Sequence, residues 1–140
     1  MVRLSESVKS VLNVAAANRT AAGDTDGAAV DTLGYDAVQA VVVGGTIGAA
    51  SALDVKLQHS NTTTAGDFED IAGAAIVQLT ATPTGVPIID VRLGGRANRR
   101  RYVRARLTTT GTGGVAAGVI LNLYQAESEP VTQTVTPVIV

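Results

Sequence analysis

Apolar and polar residues alternate along several short stretches of this chain, at the two-residue period of a β-strand. The clearest alternation covers residues 52–59, ALDVKLQH, and predicts a half-buried antiparallel strand. Further strands are predicted at residues 37–43 and 89–93, and shorter apolar pieces predict strands near residues 8–14, 28–33 and 76–79. Turn residues separate these pieces, and no stretch has the period of a helix.

Residues 99–125 predict two long strands, joined by a Gly/Thr-rich turn. Gly111, Gly113 and Gly114 supply the positive φ that a hairpin turn needs, so we expect a central β-hairpin here. One face of its first strand is apolar, and the opposite face carries Arg100, Tyr102, Arg104, Arg106 and Thr108. We expect the rest of the chain to add strands around this hairpin.

Polar and turn-forming residues predict the breaks between strands. Residues 18–27 and the polar stretch 60–70 are predicted loops, the second anchored by Phe68, and Gly44 and Gly45 are expected to end the strand before them. The resulting pattern of about eight short strands predicts an all-β fold, either an antiparallel β-sandwich or a jelly roll.

A chain of 140 residues has the size of one domain. We expect an N-terminal arm at residues 1–8, the β-sandwich at 9–126, and an extended arm or edge strand at 127–140. Pro130 and Pro137 cannot donate to a ladder, which excludes a central strand in that last part.

Composition narrows the kind of core and the classes of function. Hydrophobic residues make up 46% of the chain and aromatic residues only 3%, so the core is expected to consist of aliphatic side chains. Cysteine is absent, which excludes disulfides and thiolate chemistry. The first residues do not resemble a signal peptide, and the longest apolar stretch, 40–53, is too short to span a bilayer.

Charge is unevenly distributed, although the net charge is only −1. Seven of the nine arginines fall within residues 92–106, whereas five aspartates and no basic residue lie between Arg19 and Lys56. Guanidinium groups suit carboxylate or phosphate partners. We therefore predict a partner interface that includes the apolar end of the chain: Arg96, Arg100, Tyr102, Arg104, Arg106, Val138, Ile139 and Val140.

The other candidate residues do not predict a metal site or a catalytic site. Residues 24–27 resemble the start of a calcium loop but lack its later ligands. A second cluster, Asp67, Glu69 and Asp70, has the groups for a cation site or an acid–base pair. No histidine lies near it in the sequence. His59 is the single histidine and is expected at the surface. We expect no catalytic residue, metal or cofactor, and the scarcity of aromatic residues argues against a nucleic-acid partner.

Four short motifs together resemble the small head proteins encoded beside the major capsid protein in tailed bacteriophages and phage-like particles. They are AVDTLGYD at 29–36, VKLQHS at 55–60, DFEDI at 67–71 and RYVR at 101–104. The resemblance implies a jelly-roll cement or decoration protein on the outside of the capsid. It would be made in the host cytoplasm and would bind the major capsid protein and itself, with a dimer favoured over a trimer.

Two alternatives remain open at this point. The first alternative is a carbohydrate-binding or adhesion module on the virion surface, because jelly rolls commonly bind sugars. Such a module requires exposed aromatic side chains, and this chain has few. A tail or head-completion component is the other. An enzyme is disfavoured, because no nucleophile and base are paired in the sequence.

Overall fold

A computed structural model describes residues 3–95 and 98–135. It contains a four-residue helix, α1 (Leu4–Ser7), and a single 3₁₀ turn at Ala65–Asp67. The strands are β1 (Lys9–Arg19), β2 (Gly23–Asp26), β3 (Val30–Asp31), β4 (Tyr35–Ile47), β5 (Ala52–Ser60), β6 (Glu69–Ala75), β7 (Ile88–Arg92), β8 (Tyr102–Thr110) and β9 (Val115–Ala126). The predicted all-β fold is thereby confirmed.

The strands form two antiparallel sheets that pack face to face. Sheet 1 has the order β1-β9-β4-β7, and sheet 2 has the order β2-β8-β5-β6. The short β3 pairs with β8 beyond the end of β2, so β2 and β3 together occupy one strand position. Most connections therefore cross from one sheet to the other, and this strand order is that of a jelly roll.

The predicted hairpin between β8 and β9 is wrong. β8 pairs with β5 and β2 in sheet 2, whereas β9 pairs with β1 and β4 in sheet 1. The glycines between them form an arch that packs on the β4–β5 connection, where the Gly48 amide donates to Gly114 O at 2.8 Å. A Cβ at Gly48 would lie 1.9 Å from Gly113 O, so close approach of two backbones explains a glycine here.

Three predicted breaks are also wrong. β1 extends to Arg19 and β2 begins at Gly23, in the stretch predicted to be a loop. β4 continues through Gly44 and Gly45, because Gly44 and Ile47 pair with Ala117 and Val115 of β9. β6 begins at Glu69, inside the predicted polar loop, because His59 and Gln58 of β5 supply its ladder partners. Pairing partners override local propensity in each case.

The core lies between the two sheets and is aliphatic, as composition predicted. Its fully buried large side chains come from the central strands of both sheets: Leu53, Leu57, Leu107, Leu121 and Leu123. Each alternates with a residue on the outer face of its sheet. The jelly roll thus presents two outer faces and two ends where functional side chains can stand.

Asn13 links the two sheets at a bulge in β1. The ladder with β9 is irregular between Leu12 and Val14, and the Asn13 side chain turns toward sheet 2. There its Oδ1 accepts a hydrogen bond from the buried Ala105 amide at 2.8 Å, and its Nδ2 donates to Ala28 O at 2.8 Å. A Cβ at Gly27 would lie 1.9 Å from Oδ1, so Gly27 leaves room for this amide. Asn13 thus satisfies a backbone group of β8 in the gap between β2 and β3.

We expect Asn13→Ala to lower the free energy of unfolding by about 1–3 kcal/mol, because the Ala105 amide would lose its partner in a buried place. Urea denaturation followed by circular dichroism measures the change. Asn61→Ala, in an exposed loop, is the matched control and should cost almost nothing. Equal losses in the two variants would contradict the bridging role of Asn13.

Candidate functional site

The outer face of sheet 2 holds a buried guanidinium. Only 5% of the Arg104 side chain is exposed. Its Nε donates to Gln58 Oε1 at 2.9 Å, its Nη2 lies 3.2 Å from Asp26 Oδ2, and its guanidinium carbon stands 4.3 Å from the centre of the Phe68 ring. A carboxylate, an amide and an aromatic face together satisfy this charge within the chain. Phe68 does anchor the loop before β6, by covering Arg104.

Arg106, the next residue on the same face, is paired in the same way. Its Nε and Nη2 donate to the two carboxylate oxygens of Asp26 at 2.6 and 2.8 Å, and Asp24 lies 3.7 Å away. The hydrogen bond from Arg106 lowers the pKa of Asp26 and raises that of Arg106. The carboxylates that pair with Arg104 and Arg106 therefore come from β2 of the same chain. An acidic partner is not required to explain Arg104 and Arg106.

The three carboxylates of the acidic cluster predicted around the start of β6 have four different partners. Asp67 accepts from Thr62 Oγ1, Glu69 pairs with Arg100, and Asp70 accepts from Lys56 and Gln58. The hydrogen bonds from Lys56 and then Gln58 lower the pKa of Asp70. Each carboxylate thus has a local structural use. Among the described residues, no group of three or more His, Cys, Asp or Glu side chains is placed to hold a metal ion.

We expect Arg104→Ala to lower the free energy of unfolding by about 1–3 kcal/mol, because it uncovers Phe68 and leaves the Gln58 amide oxygen without its donor, while Asp26 keeps its pair with Arg106. Arg100→Ala is the matched control; its pair with Glu69 is partly exposed, so about 0–1 kcal/mol is expected. Denaturant unfolding of both variants makes the comparison. A loss at Arg104 no larger than that at Arg100 would contradict the structural role of Arg104.

The sequence pattern predicts Arg104 on an exposed strand face. The structure corrects this prediction, because the Arg104 side chain is buried.

The remaining arginines gather at one end of the sandwich, around the β7–β8 connection. We call Arg92, Arg99, Arg100 and Arg101 the arginine end. Arg101 makes a two-bond pair with Asp31, which lowers the pKa of that carboxyl, and Arg100 pairs with Glu69 at 2.6 Å. Arg99 donates to Arg92 O at 3.1 Å. In residues 3–95 and 98–135, no carboxylate lies within salt-bridge distance of Arg92 or Arg99.

Arg92 and Arg99 stand at a groove between two strand edges. The groove has a volume of about 370 Å³ and is lined by β6 on one side and β7 on the other. β6 pairs only with β5 and β7 only with β4, so the facing edges of both strands lack a ladder partner in the described chain. Such edges bind extended peptides through their backbone groups. The arginine end therefore combines free edges with two guanidinium groups that have no acidic partner there.

His59 lies beneath the arginine end and is not at the surface, which corrects the sequence expectation. It is 7% exposed, on β5 opposite Val103 and Glu69, and its Nδ1 has no hydrogen-bond partner among the described residues. Burial lowers the pKa of His59, and the nearby charges of Arg100 and Arg99 lower it further, against the opposing effect of Glu69. The fold thus favours the neutral form of this imidazole.

Stability should fall as the pH falls through 6.5, the ordinary pKa of histidine, because the unfolded chain then binds a proton that buried His59 does not. The carboxyls with lowered pKa, Asp26, Asp31 and Asp70, lose their contribution only below 3.8. Urea denaturation between about pH 7.5 and pH 5 should therefore show a slope that His59→Gln abolishes. A flat wild-type profile, or a slope that persists in the variant, would contradict this account.

The four motifs that carry the resemblance converge on the arginine end. Residues 29–36 cover β3 and the start of β4, 55–60 end β5, 67–71 begin β6, and 101–104 begin β8. Of the predicted interface residues, Arg100 and Tyr102 are partly exposed here, whereas Arg104 and Arg106 are taken up by aspartates of β2. Arg96, Val138, Ile139 and Val140 lie outside the described residues. Sequence reasoning missed Arg92 and Arg99, although their place among the clustered arginines was the available signal.

The four aromatic rings have different surroundings. Phe68 is covered by Arg104, the Arg101 guanidinium lies 5.3 Å from the Tyr102 ring centre, and the Tyr124 hydroxyl donates to Asp90. Burial first, and then this hydrogen bond, raise the pKa of Tyr124 to about 12. Tyr35 is partly buried at the start of β4, on the strand next to that of Tyr124.

No protein-family model and no curated protein sequence matches this chain. In addition, no helix among the described residues is long and apolar enough to cross a membrane. The resemblance to phage head proteins thus remains one of short motifs. The geometry of the site has to support any function on its own.

Proposed function

We propose that this chain is a non-enzymatic structural protein that binds an assembled protein lattice, as cement proteins bind the outside of phage heads. The observation that supports this is the arginine end, where Arg92 and Arg99 flank the free edges of β6 and β7 without an acidic partner in the described chain. Those features suit an extended, acidic segment of a neighbouring protein. The motifs of the resemblance lie at the same end.

The rest of the molecule fits a rigid scaffold. The outer face of sheet 2 neutralises its own charges, through Arg104, Arg106 and Lys56, so it offers few unpaired groups to a ligand. A protein that binds the assembled lattice but not its free subunits stabilises the lattice by mass action. The major capsid protein is the proposed partner, and self-association as a dimer is part of the same proposal.

The test uses particles assembled from the proposed partner, a phage major capsid protein, incubated with the purified chain and imaged by cryo-electron microscopy. External density at a fixed number of copies per capsomer is expected. Arg92→Ala combined with Arg99→Ala should lower the occupancy, and raising the salt above about 0.15 M should lower wild-type occupancy as well, since exposed charge pairs are screened. Particles without external density would overturn the proposed function.

A matched control separates the site from the net charge. Lys56→Ala combined with Arg106→Ala removes the same two charges from the outer face of sheet 2, where both residues already have aspartate partners. Thermal unfolding shows that each variant is folded at the temperature of the assay. If the control lowers occupancy as much as the Arg92 and Arg99 variant, the arginine end is not the contact surface.

A further inference from the structure

A row of apolar side chains crosses the outer face of sheet 1. The register places Leu12 of β1 opposite Ile120 of β9, Ile120 opposite Val41 of β4, and Val41 opposite Ile88 of β7. Directly opposed residues in antiparallel strands point to the same face. The four side chains therefore form one continuous apolar row, which runs from one edge of the sheet to the other.

This row is open among the described residues. Leu12 is 65% exposed and Ile88 52%, and Ile120 and Val41 are partly exposed between them. The neighbouring row on the same face is polar, consisting of Ser10, Asn122, Gln39 and Asp90. Contiguous apolar surface of this kind usually has a partner.

The described chain ends beside this row. Gln133 Oε1 accepts from the Ser10 amide at 3.2 Å, and Thr134 Oγ1 donates to Ser10 O at 3.0 Å. Val135, 79% exposed, lines a recess with Leu4 and Asn122 on the outer face of sheet 1. Ser10 and Leu12 are two residues apart on β1, so Ser10, beside which Val135 lies, is about 7 Å from the start of the apolar row.

The next five residues, TPVIV at 136–140, have a suitable length and composition. Extended, they reach up to about 17 Å from Val135. Strands are about 4.8 Å apart, so Val41 on the third strand of the row lies roughly 12 Å from the same starting point. Val138, Ile139 and Val140 can therefore reach the centre of the row from their own chain.

The edge of β1 is a poorer place for this segment. Pro137 has no amide hydrogen to donate, and the ladder of β1 is irregular on both sides of Val14. The Ser10 amide at that edge is already bonded to the Gln133 side chain. We propose that residues 136–140 pack across the apolar row of sheet 1 in the same chain, with Val138 to Val140 over Ile120 and Val41.

The absence of native cysteine permits a direct test by disulfide trapping. Val41→Cys combined with Val138→Cys should form an intrachain disulfide under a mild oxidant, because packing would bring the two thiols within bonding range. The yield, measured by mass spectrometry after blocking free thiols, should be independent of protein concentration. It should exceed that of the control pair at least about tenfold, since the control thiols meet only by chance.

The control is Val77→Cys combined with Val138→Cys, because Val77 is equally apolar, 86% exposed, and follows β6 at the far side of the molecule. A second pair, Ile120→Cys with Val138→Cys, tests the same placement should the Val41 variant not fold. Intrachain trapping of either row pair above the control supports the proposal. Disulfide-linked dimers that increase with protein concentration would show that the row binds a second copy of the chain. Yields equal to the control would show that residues 136–140 do not pack on the row. Either result overturns the proposal.

Discussion

The burial of the Arg104 guanidinium is the constraint on which the outer face of sheet 2 depends. A charge with 5% of its side chain exposed is tolerated only when its hydrogen bonds are satisfied. Asp26 supplies the carboxylate from β2, Gln58 supplies an amide from β5, and Phe68 covers the guanidinium from the loop before β6. One side chain of the second strand in the sheet thus fixes the positions of three other elements around it.

That arrangement changes where a partner can bind. Charges that are paired within sheet 2 have little left to offer a ligand, because breaking such a pair costs more than a new surface contact returns. Two features of the described chain are candidates for contact with a partner or with another segment of the chain. They are the groove at Arg92 and Arg99 and the apolar row on sheet 1. They lie on different parts of the molecule, so lattice binding and packing of residues 136–140 can be tested separately.

Much of the fold could be predicted from alternation alone. β5 was predicted within one residue, and the all-β class and the aliphatic core follow from the strand pattern and composition, whereas the pairing order was needed to distinguish a jelly roll from other sandwiches. The hairpin between β8 and β9 failed because a glycine-rich turn can serve either a hairpin or an arch, and only the partner strands distinguish them. Of the site, the arginine cluster was visible, but the burial of Arg104 and His59 was not.

The sequence by itself determined which residues point together along each strand, because that depends only on the two-residue period of the backbone. It therefore placed Tyr102, Arg104 and Arg106 on one face correctly. Only the tertiary structure decided what stands opposite that face, since β2 joins β8 from about 80 residues away and brings Asp24 and Asp26 with it. Long-range pairing turned an apparent binding stripe into an internal ion-pair network, and of the clustered arginines that the structure describes it left Arg92 and Arg99 without a carboxylate partner.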